Sequence, residues 1–523
     1  MKKIFYLLFS TFFILACGSS TQTAVQETKQ TQTTTEDVAV TYASTITANE
    51  LSDMLYVYAS DEFEGRETGE PGQKKAVEYL KQHYIDLGIA SPLGGDNYFQ
   101  PVPLEKLGAV ETTIKVNNTT FETYNDVITI SGGSTTSFTV NDIVYAGFGV
   151  EDDNYSDYTQ DVKGKIVLIK SGEPVDANGN YITSGSSEPT KWVNGRQALA
   201  SKRDVALKKG AKGLIIMDAE LFPRYSSYYK GQASRSGRLS LKSEETPMMI
   251  MMINEKLGIA LHPNILTSNS AEILKTKADF NITSRSEDVM SENVVAYIKG
   301  SEKPDEIIVI SAHLDHEGVK DGEIYNGADD DGSGTIAIIE IAEAFKMAAD
   351  NGHAPKRSIL FLHVTGEEKG LLGSAHYADN DPIFPLANTV ANLNIDMIGR
   401  TDPKRTGDRN YVYLIGSDKL STELHDLSEM VNSKYTNITL DYTYNDENDP
   451  NRFYYRSDHY NFAKNNVPVI FYFNGTHDDY HRPSDTPDKI EYDLLENRTR
   501  LVFHTAWELA NRDERVVVDK ATE

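Results

Sequence analysis

The sequence predicts an α/β fold, in which helices lie on both faces of a mixed, largely parallel sheet. Three short apolar runs, 307–310, 359–362 and 393–395, are predicted to be buried strands, and each is followed within a few residues by histidine or carboxylate side chains. Residues 335–348, between the first two runs, have the apolar periodicity of a helix that packs on a sheet. Because the carboxyl ends of parallel strands meet at one edge of an α/β sheet, these polar side chains are expected to form one site.

The N-terminal residues predict export. Lys2 and Lys3 precede an apolar stretch, residues 4–16, which is too short to form a stable transmembrane helix and ends at Cys17. Residues 1–16 resemble a bacterial lipoprotein signal, after which Cys17 would be lipidated; a plain signal peptide is the alternative. We therefore expect an exported protein, lipid-anchored to a bacterial cell membrane. Gly18 gives no inner-membrane retention signal, which favours the outer membrane.

The composition of the chain excludes several kinds of site and of partner. Residues 17–45 are rich in Thr, Gln and Ser, which predicts a disordered tether. Cys17 is the only cysteine, so an internal disulfide and a zinc–thiolate site are both excluded. The formal net charge of −27 argues against nucleic acid as a partner, because phosphates would be repelled. The lipid is the only membrane contact that we expect, and the sequence does not predict an oligomeric state.

The globular part is predicted to consist of a main domain, residues 46–133 and 287–523, interrupted by an insertion at 134–286. Helical periodicity in the first part covers 50–58 and 72–87, and between these helices Arg66 is expected either to pack on the core or to be a surface charge. The insertion alternates short glycine-bounded strands with two polar stretches, 173–202 and 221–245, which predict long loops. After the insertion, a strand at 293–298 returns the chain to the main domain. A buried strand at 467–473 and a closing helix at 494–510 complete that domain.

The residue types that follow the strands are those of a two-zinc site. Zinc binds imidazole nitrogen and carboxylate oxygen, and a pair of zinc ions shares one carboxylate. The candidate metal ligands are His313, Asp330, Glu368, Asp396 and His481. Paired zinc ions hold a water between them and lower its pKa, and a nearby carboxylate must then move the proton. Glu367 suits that role as general base, because neighbouring residues at a strand end point in different directions.

Taken singly, each motif has an ordinary explanation. A lone His-x-Asp pair is commonly structural, and residues 329–331 alone are compatible with an acidic turn or a calcium loop. The order of the motifs, each at a predicted strand end, favours the joint interpretation. His459 and His477 are predicted not to be ligands, and Asp458 is expected to line the site.

In this order the motifs resemble the zinc-dependent aminopeptidase family that includes aminopeptidase S and the glutamate carboxypeptidase II-like metallopeptidases. The resemblance implies a zinc-exopeptidase fold, with one zinc on His313 and Asp396, the other on Glu368 and His481, and Asp330 bridging both. It implies that Asp315 orients His313, that Tyr480 stabilises the oxyanion, and that the bond between Asp330 and Asp331 is cis. The insertion resembles a protease-associated domain, which either limits the peptides that enter or is an accessory module without substrate contact.

The function expected from this resemblance is an exported metallo-exopeptidase that uses two zinc ions per chain on peptide substrates. An aminopeptidase that hydrolyses the N-terminal peptide bond is favoured. A carboxypeptidase or dipeptidase with the same metals is the enzymatic alternative, because end selectivity depends on pocket residues outside the ligand set. A catalytically dead binding protein of the same fold is the alternative from another class, and the presence of all five ligands argues against it.

Overall fold

The structure, a computed structural model, describes residues 37–153, 155–193, 195–233, 237–243 and 247–520. The predicted signal segment and Cys17 lie outside these residues. The prediction that the tether extends to residue 45 is wrong, because Val38–Ala43 form a helix. Its apolar face buries Ala39 and Tyr42, and the Tyr42 hydroxyl lies 2.8 Å from His353 Nδ1. In the described ranges no helix is long and apolar enough to cross a bilayer.

The described α-helices are numbered in chain order: α1 Val38–Ala43, α2 Ala48–Tyr58, α3 Pro71–Asp86, α4 Gly195–Lys208, α5 Phe222–Ala233, α6 Glu255–Leu261, α7 Gly334–Asp350, α8 Leu372–Ala375, α9 Thr422–Val431, α10 His459–Ala463 and α11 Tyr492–Asn511. Helix α2 begins two residues before its predicted start because Thr47 caps it. The Thr47 hydroxyl accepts a hydrogen bond from the Glu50 N–H at 3.3 Å and donates one to the Glu50 carboxylate at 2.7 Å.

The described strands are likewise numbered in chain order: β1 Phe99–Leu107, β2 Val110–Val116, β3 Thr119–Glu122, β4 Val127–Ser131, β5 Thr136–Val140, β6 Ile143–Tyr145, β7 Glu151–Asp152, β8 Tyr155–Ser156, β9 Ile166–Lys170, β10 Gly213–Met217, β11 Arg238–Leu241, β12 Met249–Ile253, β13 Glu272–Leu274, β14 Ala278–Ser284, β15 Glu287–Ile298, β16 Lys303–His313, β17 Gly318–Lys320, β18 Glu323–Tyr325, β19 Arg357–Val364, β20 Thr389–Ile395, β21 Tyr411–Ile415, β22 Thr439–Asp441 and β23 Val469–Phe473.

The main sheet has the order β11-β1-β15-β19-β16-β20-β23-β21-β22. Its four central strands, β19, β16, β20 and β23, run parallel, whereas β15 and β21 pair with them in the antiparallel direction. The predicted fold class, a mixed sheet with a largely parallel centre, is confirmed. Four carboxyl ends therefore meet at one edge of the sheet.

Alternate residues of the central strands pack against helices on opposite faces. Ile308 and Ile310 of β16 belong to the large core beneath α2, α3, α7 and α11. Ile307 and Val309 point to the other face, where they pack in a smaller core with Phe462 of α10. Because side chains alternate along a strand, an apolar residue at every position requires helices on both faces.

Two smaller sheets form a second body. One has the order β13-β6-β9-β10-β12-β4 with a parallel centre, and the other, β3-β2-β14-β5, is antiparallel. Their strands come from residues 110–284, so the predicted limit at residue 134 falls inside this body. The strand β11 leaves it and pairs with β1 at the edge of the main sheet, with Leu104 opposite Leu241.

The prediction of long loops at 173–202 and 221–245 is wrong in part. Helix α4 begins at Gly195, and α5 and β11 both lie in the second stretch. Helix α5 buries little of its Tyr- and Ser-rich sequence, with Phe222 and Ser226 as its buried residues. Its apolar periodicity is therefore too weak for the sequence to predict it.

Glu340 makes the stability of the protein dependent on pH. It lies almost fully buried on α7, and burial together with the nearby Glu50 and Glu343 raises its pKa from 4.5 to about 8. The folded chain then holds a proton that the unfolded chain releases, so its stability falls as pH rises from about 4.5 to about 8. We expect Glu340→Gln to raise the free energy of unfolding by about 2 kcal/mol at about pH 9 and by much less at about pH 5. Urea unfolding at the two pH values measures this, and an equal gain at both would contradict it.

Candidate metal centre

The candidate ligands converge because the central strands end together. His313 is the last residue of β16, Asp396 follows the end of β20 directly, and Glu368 lies in the turn after β19. Asp330 lies in the irregular turn Ala328–Ser333 that begins α7, and His481 lies in the loop after β23. All five candidate ligands thus lie at the carboxyl edge of the parallel strands.

Asp330 lies between two groups of ligand atoms. Its Oδ1 is 3.1 Å from His313 Nε2, which is in turn 3.7 Å from Asp396 Oδ1. Its Oδ2 is 3.1 Å from His481 Nε2, which is also 3.1 Å from Glu368 Oε2. Each oxygen of Asp330 therefore faces a different histidine, as expected for a carboxylate shared by two metals.

The donor atoms fit a pair of zinc ions. In a tetrahedral zinc site with bonds of about 2.1 Å, neighbouring ligand atoms are about 3.4 Å apart, and the four distances above bracket that value. His313 Nε2, Asp330 Oδ2 and Glu368 Oε1 are buried without a hydrogen-bond partner among the described residues. Buried polar atoms are rarely left unpaired, so their convergence indicates a cation site.

The charges in the site support the same conclusion. Although burial opposes it, the close contacts with the imidazoles of His313 and His481 hold the pKa of Asp330 well below its usual range. Against the effect of burial, Asp330 and Asp396 raise the pKa of His313 well above its ordinary value. Asp330 and Glu368 likewise raise the pKa of His481 to about 10. The cluster thus has an excess of negative charge that stabilises any cation placed within it.

The turn that carries Asp330 is fixed by its two neighbours. Asp331 accepts hydrogen bonds from the backbone N–H groups of His313, Gly334 and Met397 at 3.2, 3.0 and 3.0 Å. Asp329 accepts one from the Gly399 N–H at 2.7 Å. The peptide bond between Asp330 and Asp331 is cis, which confirms the expectation from the family resemblance.

Glu367 lies beside the ligands rather than among them. Its backbone N–H donates to Asp315 Oδ1 at 3.1 Å. Burial, together with the carboxylates of Asp396, Glu368 and Asp458, raises the pKa of Glu367 well above its ordinary value, despite the opposing charge of His313. A carboxyl group in this environment readily accepts a proton, which is what the predicted general base requires.

Asp315 contacts His313 differently from what the resemblance implied. His313 Nδ1 lies 3.0 Å from the backbone carbonyl of Asp315 and 3.9 Å from its carboxylate, so the carbonyl is the hydrogen-bond acceptor. The carboxylate instead accepts hydrogen bonds from the Thr68 hydroxyl at 2.7 Å and from the Glu367 N–H. Asp315 therefore orients His313 through its backbone and the turn of Glu367 through its side chain.

Arg66 is a structural support of the site and not a surface charge. Its side chain is 1% exposed. The guanidinium donates to four backbone carbonyls, those of Leu314, Tyr58, Asn326 and Gly327, at 3.1, 3.2, 2.7 and 2.9 Å. The segment that contains Arg66 thus packs on the core, as the first of the two expectations for it had stated.

Tyr480 and His481 are held by the loop around them. The two rings stack with centroids 3.9 Å apart. His477 Nε2 lies 3.1 Å from Asp329 Oδ2, and Asp479 forms salt bridges with Arg400 at 3.1 Å and Lys489 at 2.6 Å. Burial and the surrounding carboxylates raise the pKa of Tyr480, so its hydroxyl stays protonated as a hydrogen-bond donor.

The remaining histidines of the sequence motifs lie away from the ligand atoms. His459 stacks on Phe471 with centroids 4.6 Å apart, and His477 is bound to Asp329. The neighbouring Asp458 is buried, with one oxygen bound by the Ser374 hydroxyl, and burial raises its pKa to about 7. The ring of His459 thus packs on an apolar side chain, and that of His477 supports the turn that carries Asp330.

Sequence reasoning missed His316. Its Nδ1 lies 2.9 Å from Glu368 Oε1 and 3.8 Å from Asp330 Oδ2. The one signal available was its position directly after the His313-x-Asp315 pair, which does not show where its ring points.

A cavity of about 490 Å³ opens beside Tyr480. Its lining is polar and includes two arginines, Arg456 and Arg482, which are both exposed and form no salt bridge with a described residue. The other lining residues are Asn451, Phe453, Thr476, His477 and Asp478. A side chain or terminus of a bound molecule can therefore lie next to the ligand cluster.

Comparison with known proteins identifies the segment that carries the site. Residues 293–506 match the sequence model of peptidase family M28, and they include all five candidate ligands. The chain is 27% identical over 293 residues to the aminopeptidase YwaD of Bacillus subtilis, covering 53% of this chain and 51% of that protein. It is 26% identical over 352 residues to the probable leucine aminopeptidase 2 of Aspergillus oryzae, covering 67% and 58%.

The chain thus spans somewhat more than half the length of these curated relatives. With the solved structure of an aminopeptidase from Aneurinibacillus sp. strain AM-1 it shares 22% identity, covering 92% of this chain and 98% of that one, at a TM-score of 0.46.

Proposed function

We propose that this chain, whose residues 293–506 match the model of peptidase family M28, is an aminopeptidase of that family and uses two zinc ions. The observation that carries the proposal is the position of Asp330, whose two oxygens each lie 3.1 Å from a separate histidine. The relatives from Bacillus subtilis and Aspergillus oryzae are named as aminopeptidases, which favours N-terminal over C-terminal cleavage.

His313 and Asp396 would hold one zinc, Glu368 and His481 the other, and Asp330 would contact both. When bound, two zinc ions activate a water molecule and polarise the substrate carbonyl. Glu367 then takes the proton from the attacking water and transfers it to the leaving amine. Tyr480 donates its hydroxyl hydrogen to the oxyanion, because its raised pKa keeps that hydrogen in place.

The second body is, in this proposal, a protease-associated domain that limits which peptides reach the site. The pairing of β11 with β1 supports a fixed position for it, because a strand shared with the main sheet restricts movement. Turnover of a peptide series of increasing length measures this. A rate independent of length would favour an accessory module.

Localisation is also part of the proposal. Cys17 would carry the lipid that anchors the exported chain to a bacterial cell membrane, which in this proposal is the outer membrane, on its periplasmic or surface side. We expect Cys17→Ser to move the protein from the membrane fraction to the soluble fraction without loss of peptidase turnover. Retention in the membrane fraction would contradict lipidation at this residue.

The activity is tested with aminoacyl nitroanilides and with matched peptides that are free, N-acetylated or C-terminally amidated, with and without a chelator. We expect chelator-sensitive release of N-terminal residues that acetylation blocks. Cleavage that is blocked by amidation and not by acetylation would overturn the aminopeptidase proposal.

A second candidate activity is a carboxypeptidase or dipeptidase at the same site. The observation that favours it is the pair of guanidinium groups in the cavity beside Tyr480, Arg456 and Arg482, neither of which forms a salt bridge with a described residue. Arginine binds a carboxylate well, so this cavity suits a C-terminal carboxylate or an acidic side chain. The acetylated and amidated peptides distinguish this activity from the first.

A further inference from the structure

We propose that His316 is a sixth protein ligand of the metal centre, on the metal held by Asp330, Glu368 and His481. This inference rests on the proposed two-metal site and goes beyond its five expected ligands. It assigns four protein ligands to one metal and three, His313, Asp330 and Asp396, to the other.

The first argument is the burial of His316. Its side chain is 0% exposed, and neither ring nitrogen has a hydrogen-bond partner among the described residues. A buried imidazole usually pairs at least one nitrogen. His459 is also buried with both ring nitrogens unpaired, but its ring stacks on Phe471, whereas His316 faces the carboxylates of Glu368 and Asp330.

The second argument is geometric. His316 Nδ1 and Glu368 Oε1 are 2.9 Å apart, and yet neither atom has a hydrogen-bond partner among the described residues. His313 Nε2 shows the same combination, with Asp330 Oδ1 at 3.1 Å and no hydrogen bond. Two buried acceptor atoms that converge without a shared hydrogen are positioned to bind a cation between them.

The third argument is that His316 and His481 approach the same two carboxylates. Glu368 presents Oε1 to His316 and Oε2 to His481, and Asp330 Oδ2 lies 3.8 Å from His316 Nδ1 and 3.1 Å from His481 Nε2. The two imidazole rings are 5.7 Å apart at an angle of 76°. Together with these two carboxylates, the two histidines make four protein ligands, which is the number that a tetrahedral zinc takes.

The ring of His316 is held in this orientation by its surroundings. Its backbone N–H donates to the Arg66 carbonyl at 3.2 Å. Gly327, whose φ is +54°, lies against the ring so closely that a Cβ there would be 2.5 Å from His316 Cγ. A ligand fixed before the metal arrives loses little freedom on binding, which increases affinity.

The two sites should therefore differ. A zinc with four protein ligands has the closed coordination of a structural site, whereas a zinc with three keeps a position for water or substrate. We expect a chelator to remove the metals in two steps, with the metal on His313 and Asp396 leaving first.

The test uses the full chain with His316→Cys and, as a matched control, His376→Cys. His376 is another buried histidine of the main domain, and its Nε2 lies 3.9 Å from Asp381 rather than near the ligands. The metal-free proteins are titrated with Co²⁺, whose thiolate complexes absorb in the near ultraviolet. Cys17 is common to all three chains, so the wild-type spectrum accounts for it.

We expect His316→Cys to show a thiolate-to-cobalt band and His376→Cys to show none. Two bound Co²⁺ without that band would overturn the role of His316 as a ligand and would leave the two-metal function intact, because a residue that merely positions Glu368 gives no such band. Failure of the wild-type chain to bind Co²⁺ would overturn the proposed two-metal function as well.

A second measurement needs no substitution, in case the variant does not fold. In the wild-type chain loaded with Co²⁺, each histidine ligand with a free ring N–H gives a hyperfine-shifted proton resonance. His313 and His316 each add a signal to that of His481, so we expect three, and two would contradict the inference. In His316→Gln, we also expect the Co²⁺ at the Glu368 site to bind more weakly than the other Co²⁺. Its Kd should rise more than about 100-fold relative to the wild-type chain.

Discussion

Glu367→Gln is expected to lower kcat by roughly 10²–10⁴-fold and to leave the zinc content unchanged. The glutamine amide has nearly the same shape as the carboxyl group but does not accept the proton of the attacking water. Glu367 lies beside the ligand cluster and not within it, so its replacement leaves every proposed metal contact in place.

Turnover of an aminoacyl nitroanilide and zinc content by elemental analysis measure the two parts of this prediction. Glu302→Gln, an exposed glutamate of the same domain, is the matched control and should retain full turnover. Loss of zinc from Glu367→Gln would show that this residue is a ligand. Retained turnover would show that another group moves the proton.

Arg66→Met is expected to lower the free energy of unfolding of the metal-free chain by about 3–5 kcal/mol. The substitution leaves four buried carbonyl oxygens without their donor, and methionine fills most of the volume without replacing any hydrogen bond. Since two of these carbonyls belong to Leu314 and Gly327, beside His313 and the Asp330 turn, zinc affinity should fall as well.

Urea unfolding of metal-free wild type, Arg66→Met and Arg66→Lys measures the loss of stability. Lysine keeps the charge but has three donors on one atom in place of a planar fork, so we expect it to recover only part of the loss. Arg203→Met, at an exposed arginine, is the control and should change stability by less than about 0.5 kcal/mol. A loss below about 1 kcal/mol for Arg66→Met would contradict the role assigned to Arg66.

The central strands could be predicted because their sequence is decisive. An apolar residue at every position, as at Ile307 to Ile310, in a run too short for a buried helix, predicts a strand covered on both faces. Residues with metal-binding side chains at the ends of such strands must come together, since the sheet brings the carboxyl ends to one edge. The structure accordingly places His313, Asp330, Glu368, Asp396 and His481 in one cluster.

Other features of the site and of the fold could not be predicted, because they depend on tertiary contacts that a sequence does not display. The backbone of His316 is bound by the carbonyl of Arg66, about 250 residues earlier in the chain, and its ring packs against Gly327. The carboxylate of Asp315 is bound to Thr68, about 250 positions earlier in the chain, and so its expected contact with His313 is made by its backbone instead. Helix α1 packs through Ala39 and Tyr42, too few residues to be distinguished from the polar segment before it.

The most direct test of the proposed two-zinc aminopeptidase activity is turnover of a leucyl nitroanilide as zinc is returned to the metal-free chain. Turnover should be absent without metal and should reach its full value at two zinc ions per chain. Full turnover in the metal-free chain, or saturation with zinc without any release of an N-terminal residue, would contradict the proposed function.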